Sequence, residues 1–240
     1  MRKQYIVIML TVILTTGTSY GGFFTDLFKK VGTADSKAKL DESTVTAGLK
    51  EALSIATDKT VTALSAPDGY FANKAVKILM PEKIQKVAET LGKFGFQKQV
   101  DDFVMSMNRA AEKATPVARG YFSDAIKQMT FKDAMKILDG GNTAATEFFK
   151  DKTYSKLYDS LKPSISHSMD QVGVVNYYKD MMGKFSSIPF MNAASVDLDD
   201  YVTNEALDGL FYTVGEEEKK IRKDPASRVT DLLKEVFGAN

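Results

Sequence analysis

The sequence predicts an all-α protein, a compact multi-helix bundle preceded by a signal peptide. Three observations indicate this fold class. Apolar residues recur at spacings of three and four along most of the 240 residues, which is the repeat of one helical face. Valine and isoleucine follow that spacing rather than the alternation of a half-buried strand. Glycines, prolines and short polar residues interrupt the pattern where helices are expected to start and stop.

Residues 1–19, MRKQYIVIMLTVILTTGTS, have the pattern of a secretory signal peptide. Two basic residues precede an apolar run from Tyr5 to Leu14, and small residues follow. This apolar run has ten residues, whereas a transmembrane helix needs roughly 20. An uncleaved membrane anchor is therefore only the second interpretation. Cleavage is expected after Ser19 or Gly21, and it would release a periplasmic or secreted protein.

Residues 20–42 are predicted to form a short amphipathic segment and a linker. The aromatic start of the segment either makes peripheral contact with a membrane or docks on the bundle, and its shortness favours docking. Residues 43–240 are then predicted to form a single all-helical domain. Membrane contact would use the apolar residues Phe23, Phe24, Leu27 and Phe28.

The first helices of this domain lie between a plausible cap, Ser43, and a plausible stop, Gly95. Pro67-Asp68-Gly69 reads as a turn. A short helix over Asn73–Leu79 ends before Pro81, which suits the first position of the next helix. The apolar residues that share faces here are Val45, Leu49, Ala52, Leu53 and Ala56, then Ile84, Val87, Ala88, Leu91 and Phe94.

Helical spacing continues from Val100, with a new helix or a kink expected at Thr115-Pro116. Thr130 and Asp133 resemble a capping pair at the next start. That helix should stop at Gly140-Gly141, after which Asn142 or Thr143 caps another. Less regular helices are expected from there through Met169.

The last third of the sequence predicts two more helices. Thr203 is the expected cap of the first, and Asp224-Pro225 the expected start of the second. Gly238 is the expected stop. The inner faces would be formed by Ala206, Leu207, Leu210, Phe211 and Val214, and by Val229, Leu232, Leu233, Val236 and Phe237.

Composition excludes several chemistries. The chain has no cysteine, so disulfides, thiolate catalysis, Cys-ligated metals and lipid attachment to a cysteine are excluded. His167 is the only histidine, which excludes a metal site built on several histidines. Loss of Arg2 and Lys3 with the leader changes the formal charge from +1 to −1. Because acids and bases are interleaved, no basic stripe for nucleic acid exists. The sequence indicates no cofactor.

The stretch MNRAAEKATP carries three polar residues inside a helix that otherwise looks like core. With successive residues turned by about 100°, Asn108 lies on the edge of the apolar face, Glu112 further round, and Arg109 almost opposite. On a helix packed from one side, Arg109 faces water. On a helix packed from two sides, Arg109 must be buried with a partner, and Glu112 is one candidate. These three residues are also the candidate ligand-binding residues of the chain.

The acidic run Asp197-Leu198-Asp199-Asp200 invites a calcium interpretation. Calcium loops need a tight glycine turn and further ligands, whereas Tyr201 and Val202 stand at those places. Acids before a helix also favour its positive N-terminus. Helix capping is therefore the preferred interpretation, and no metal site is expected.

Several segments resemble a known family in combination. AGLKEAL, DGYFANKAVKILMP, MNRAAEKATP, YVTNEALDGLF and EEEKKIRKDPASRVTDLLKEVFG follow one another in that order. Together they resemble the exported bacterial family catalogued as domain of unknown function 4197, over Leu40 to Gly238. The resemblance implies an all-helical fold, and it implies no activity, ligand or catalytic residue.

Two functions from different classes fit the sequence. The first is a non-catalytic envelope protein that binds an unknown protein, a lipid-like partner or another apolar ligand. Methionines could line an adaptable binding surface, although filling the core is their commoner use; they include Met105, Met107, Met129, Met135, Met181 and Met182. The second is a hydrolase that uses carboxylates together with Asn108, Arg109 and Glu112. The first is favoured, and enzymatic activity stays an open question.

Overall fold

The computed structural model describes residues 42–188, 196–228 and 230–238. The leader and the amphipathic segment up to residue 41 lie outside the described residues, as does Val229. The described residues are all-helical and contain no strand, which confirms the predicted fold class. None of the described helices combines the length and the apolar character needed to cross a bilayer.

The described residues form α-helices and three single turns of 3₁₀-helix. The 3₁₀ turns are Glu82–Ile84, Thr115–Val117 and Pro225–Ser227. The α-helices are α1 (Glu42–Ser65), α2 (Gln85–Lys93), α3 (Gln97–Ala114), α4 (Ala118–Gln128), α5 (Phe131–Leu138), α6 (Ala144–Val172), α7 (Val174–Ser186), α8 (Leu198–Lys223) and α9 (Asp231–Gly238).

Helix α1 is packed from several sides, by α4, α5, α8 and α9. Its buried residues recur at spacings of three and four, from Val45 to Leu64, and confirm the predicted stripe. Leu49 and Leu64 are each 1% exposed. Burial of one such side chain contributes roughly 1.5–3 kcal/mol, so this helix supplies a large part of the core.

Helix α6 is the long element against which α3 and α8 pack. It spans 29 residues without a break, although Pro163 lies inside it. The sequence predicted less regular helices here, and that prediction was wrong. Aromatic packing ties α6 to its neighbours, because the Phe149 ring centroid lies 5.4 Å from that of Phe122. The Phe122 centroid lies 5.9 Å from that of Phe211 on α8.

Two helix boundaries carry the signals that the sequence predicted. Thr130 and Asp133 form a reciprocal capping box at the start of α5. Gly95 follows α2 with φ of 82°, the left-handed conformation expected after a helix end. Each signal involves residues only a few positions apart.

Three boundaries differ from the prediction. Asn73–Leu79 forms turns and irregular backbone rather than a short helix. Helix α8 begins at Leu198 with Asp197 as its cap, and Thr203 is buried inside it. The last helix begins at Asp231, because Asp224-Pro225 leads into a 3₁₀ turn instead.

Candidate functional site

Residues 66–81 connect α1 to the first 3₁₀ turn without forming a helix, and we name them the connecting segment. Its N–H groups at Tyr70, Phe71 and Ile78 form no hydrogen bond with the backbone of the neighbouring turns, so they require other partners. Helix α3 supplies these partners from a single stretch of its surface. Asn108 and Glu112 accept these hydrogen bonds, and Arg109 binds the side chains of Glu112 and Asp68.

Asn108 is fully buried and binds the backbone of the connecting segment. Its Oδ1 accepts the Ile78 N–H at 2.9 Å, and its Nδ2 donates to the Ile78 carbonyl at 2.8 Å. The same Nδ2 donates to the Val104 carbonyl one turn back, also at 2.8 Å. The amide thus pairs with Ile78 as a strand neighbour would.

Glu112 is 4% exposed, and its carboxylate holds the other end of the segment. Oε1 accepts the N–H groups of Tyr70 at 3.1 Å and Phe71 at 3.2 Å. Oε2 accepts from Arg109 Nη1 at 2.7 Å, which is the ion pair that the sequence offered as one alternative. Arg109 Nη2 donates to Asp68 Oδ1 at 2.6 Å. The hydrogen bond that Arg109 donates to Glu112 raises the pKa of Arg109 above its ordinary value.

The Tyr70 side chain anchors the segment against α8. Its ring is fully buried, and its hydroxyl donates to the Ala206 carbonyl at 2.8 Å. Burial raises the pKa of Tyr70 above its usual range. A Cβ on Gly209 would lie 2.8 Å from Tyr70 Cε1, so α8 needs glycine at this close approach. Farther along, the Tyr201 hydroxyl donates to the Leu79 carbonyl at 3.0 Å, and burial raises the pKa of Tyr201 to about 12.

The structure therefore brings Asn108, Arg109 and Glu112 together, and we name them the α3 clamp. Two of the three side chains are buried, while the Arg109 side chain is 30% exposed. Helix α3 packs on several neighbours, so the alternative of a helix packed from one side was wrong.

A second buried carboxylate repeats this arrangement at the start of α6. Glu218 on α8 is 5% exposed. Its two oxygens accept the Ala145 N–H and the Thr146 N–H, both at 2.9 Å. Arg222 Nε donates to Glu218 Oε1 at 2.9 Å, and Arg222 Nη2 donates to the Ile137 carbonyl at 2.7 Å. Glu218 thus caps α6 from another helix, a task that the Thr143 side chain does not perform.

The remaining sequence candidates have ordinary surroundings. Asp197 Oδ1 accepts the Asp200 N–H at 3.0 Å, so the preferred capping interpretation is confirmed. His167 is exposed on α6, and its Nε2 lies 2.7 Å from Gln171 Nε2. Within the described ranges, no three His, Cys, Asp or Glu side chains lie close enough to hold a metal ion.

Two cavities differ greatly in size. One inside the bundle, beside Glu218, measures about 10 Å³ and fits about one water molecule. The other is an open groove of about 460 Å³ between α4, α5 and α6, which we name the α4–α6 groove. Neither contains a residue of the α3 clamp. The groove is lined by Tyr121, Asp124, Ala125, Gln128, Asp133, Phe148, Lys152, Thr153 and Lys156.

A protein-family model described as "Protein of unknown function (DUF4197)" matches residues 39–238. The chain belongs to the DUF4197 family. This match confirms the resemblance seen in the sequence. No curated protein and no solved structure matches the chain.

In this DUF4197 chain, sequence reasoning found the α3 clamp but missed two features. The i,i+4 spacing of Glu218 and Arg222 in the run GEEEKKIR predicts the salt bridge that the structure shows at 2.9 Å. The alternating charges of the run are typical of a solvated face, however, so the burial of Glu218 and its capping of α6 were missed. Gly215 and Ile221 of the same run are also buried, so this face of α8 lies against the core. The α4–α6 groove was missed because its walls come from three helices. Of the methionines expected at a surface, Met107, Met129 and Met181 fill the core instead.

Proposed function

We propose that this DUF4197 chain is a non-catalytic binding protein of the bacterial envelope, and that the α4–α6 groove is its binding site. The groove is the observation that carries the proposal. Its volume of about 460 Å³ lies within the range of roughly 300–1,000 Å³ that small-molecule sites occupy. Two partly buried aromatic side chains, Tyr121 and Phe148, line it beside charged residues, which is the usual composition of a site for an amphipathic ligand.

The hydrogen bonds that the buried acids already form support a non-catalytic function. Glu112 and Glu218 each accept backbone N–H groups and an arginine. A hydrolase built on Asn108, Arg109 and Glu112 would first have to break the hydrogen bonds that hold the connecting segment. No observation favours that alternative, and we therefore do not carry it further.

The envelope location rests on the leader, and the mature N-terminus tests it. The protein should be recovered from the periplasmic fraction or the medium, and its intact mass should correspond to a chain that begins at Tyr20 or Gly22. A chain that starts at Met1 and stays with the membrane would show that the leader anchors the protein instead of being cleaved on export.

Peripheral membrane contact through the N-terminal aromatic segment is a separate part of the proposal. Replacement of Phe24, Leu27 and Phe28 by serine in the full mature chain should reduce co-flotation with lipid vesicles. Flotation that is absent from the wild type, or unchanged in the variant, would remove membrane contact from the proposal.

Native mass spectrometry tests the binding function itself. The protein, gently extracted from its own envelope, should carry a ligand or partner. Ala125→Trp should remove it, because Ala125 is a small residue in the groove wall and an indole would fill that space. Arg119→Trp is the matched control on the same helix, since Arg119 is exposed and does not line the groove. A wild-type protein that is always a ligand-free monomer, or an Ala125→Trp variant that keeps its ligand, would refute the proposal.

A further inference from the structure

The α6 wall of the groove presents two cations to the same space. Lys152 and Lys156 are four residues apart on one helix, so their side chains leave from the same face. Both are exposed and both line the groove. Lys152 Nζ lies 3.4 Å from Asp151 Oδ2, an exposed pair of little energetic weight. Lys156 has no hydrogen bond or ion pair with any residue that the structure describes.

The two acids of the groove are already used on its opposite side. Asp133 Oδ2 accepts the Thr130 N–H at 3.0 Å and the Thr130 hydroxyl at 2.7 Å. These bonds lower the pKa of Asp133 and commit its charge to the start of α5. Asp124, which also lines the groove, pairs with Lys127 at 3.5 Å. The groove charge that has no partner among the described residues is therefore that of Lys156, which is positive.

The uncommitted polar groups of the groove can also donate hydrogen bonds. The Tyr121 hydroxyl and the Gln128 amide form no hydrogen bond within the described part of the chain. A hydroxyl and an amide can both donate to an acceptor-rich group. The rings of Tyr121 and Phe148 pack on the core yet stay partly exposed, which leaves an apolar strip beside the lysines.

We infer that the ligand of the α4–α6 groove is an anionic amphiphile, with a carboxylate or phosphate head against Lys152 and Lys156 and an apolar chain or ring along Tyr121 and Phe148. This inference rests on the proposed function, because it assumes that the groove is the binding site. Ion pairs orient the head, and burial of the apolar part supplies most of the free energy of binding.

Three probes with the same ten-carbon chain separate the head from the tail. They are decanoate, decyl phosphate and decyltrimethylammonium, each used below its micelle concentration with the ¹⁵N-labelled mature chain. Decanoate or decyl phosphate should shift the amide signals of Tyr121, Ala125 and Phe148, and the tighter of the two shows whether a fatty acid or a lipid phosphate is the better model. The cationic probe should bind at least about tenfold more weakly, because it meets unpaired positive charge.

Neutral variants assign the preference to the lysines. Lys152→Gln with Lys156→Gln should weaken binding of the anionic probes by about tenfold. Lys59→Gln is the control, since Lys59 is an exposed lysine on α1 outside the groove. It should leave binding unchanged.

The outcomes separate this inference from the proposed function. Equal binding of the cationic and anionic probes, or full binding by the double variant, would overturn the anionic head and leave the groove as the site. Failure of all three probes to shift any groove signal would overturn the inference as well, and the native ligand found by mass spectrometry would then decide the proposed function separately.

Discussion

Glu112→Ala is the substitution that most directly separates a structural carboxylate from a catalytic one. In the folded protein, Glu112 accepts the N–H groups of Tyr70 and Phe71 at 3.1 and 3.2 Å. Alanine cannot accept either bond, and the shorter side chain leaves no obvious route for water to Tyr70, which is fully buried. The connecting segment should therefore lose its attachment to α3 at this end.

The expected cost follows from the two orphaned donors. A buried donor without a partner costs about 1–3 kcal/mol. We take about 2 kcal/mol for the buried Tyr70 N–H and about 1 kcal/mol for Phe71, which is only half-buried. Loss of the pair with Arg109 adds little, since Arg109 keeps Asp68 at 2.6 Å and is partly exposed to water. The free energy of unfolding should fall by about 3 kcal/mol.

Urea unfolding followed by circular dichroism measures this change. With a slope of about 2–3 kcal/mol per molar urea, the midpoint should fall by about 1–1.5 M. Glu112→Gln keeps one acceptor oxygen but points an amide donor at Arg109, so its cost should be intermediate, about 1–2 kcal/mol. Glu89→Ala is the control, because Glu89 is exposed on α2. A loss below about 1 kcal/mol for Glu112→Ala, or a loss equal to that of the control, would refute the clamp.

Three further predictions follow from close packing and from pKa shifts. Gly209→Ala should lower the free energy of unfolding by about 1–3 kcal/mol, since its Cβ would lie 2.8 Å from Tyr70. Gly120→Ala should be neutral or stabilising, because the space around Gly120 is open. Thermal unfolding of both variants checks the difference. Burial raises the pKa of Glu205 in the folded state, so ionised Glu205 destabilises the fold. Glu205→Gln should therefore be more stable at pH 7, and the gain should shrink as the pH falls through the folded pKa; a constant gain would contradict this reason. Hydrogen bonds from Thr130 lower the pKa of Asp133, so Asp133→Asn should reduce the free energy of unfolding by less than about 1 kcal/mol at pH 7. Unfolding measured as a function of pH should show this loss disappearing below the folded pKa of Asp133.

Much of the fold could be predicted because its signals are local. The stripe on α1 repeats within single turns, and the capping box of Thr130 and Asp133 spans four residues. The left-handed glycine after α2 is likewise read from one position. Such features depend on neighbours in the sequence, which a pattern along the chain records directly.

Features that depend on distant residues could not be predicted in the same way. Asn73–Leu79 has helical spacing, yet its backbone pairs with Asn108, 30 residues farther along from Ile78. This pairing satisfies the backbone of Ile78 without a helix. Glu218 caps α6 from 73 residues away, and its sequence context resembles a solvated helix. Tertiary hydrogen bonds therefore override the local preference in both places.

The candidate site shows the same division. The sequence named Glu112 as one candidate partner of Arg109, and that ion pair is confirmed. It placed Asn108 at the edge of an apolar face, whereas Asn108 is fully buried. It could not name the connecting segment as the object they hold. The groove was out of reach because the lateral contacts of α4, α5 and α6 are not encoded in the periodicity of any one helix.

Hydrogen exchange of individual backbone amides tests the central claim most directly, namely that the polar residues of α3 are used to hold the connecting segment. The amides of Tyr70, Phe71 and Ile78 should exchange as slowly in the wild type as those of the neighbouring helices. In Glu112→Ala, Tyr70 and Phe71 should lose this protection to a greater extent than α1 does. Fast exchange of all three amides in the wild type, at the rate of an open loop, would contradict the account.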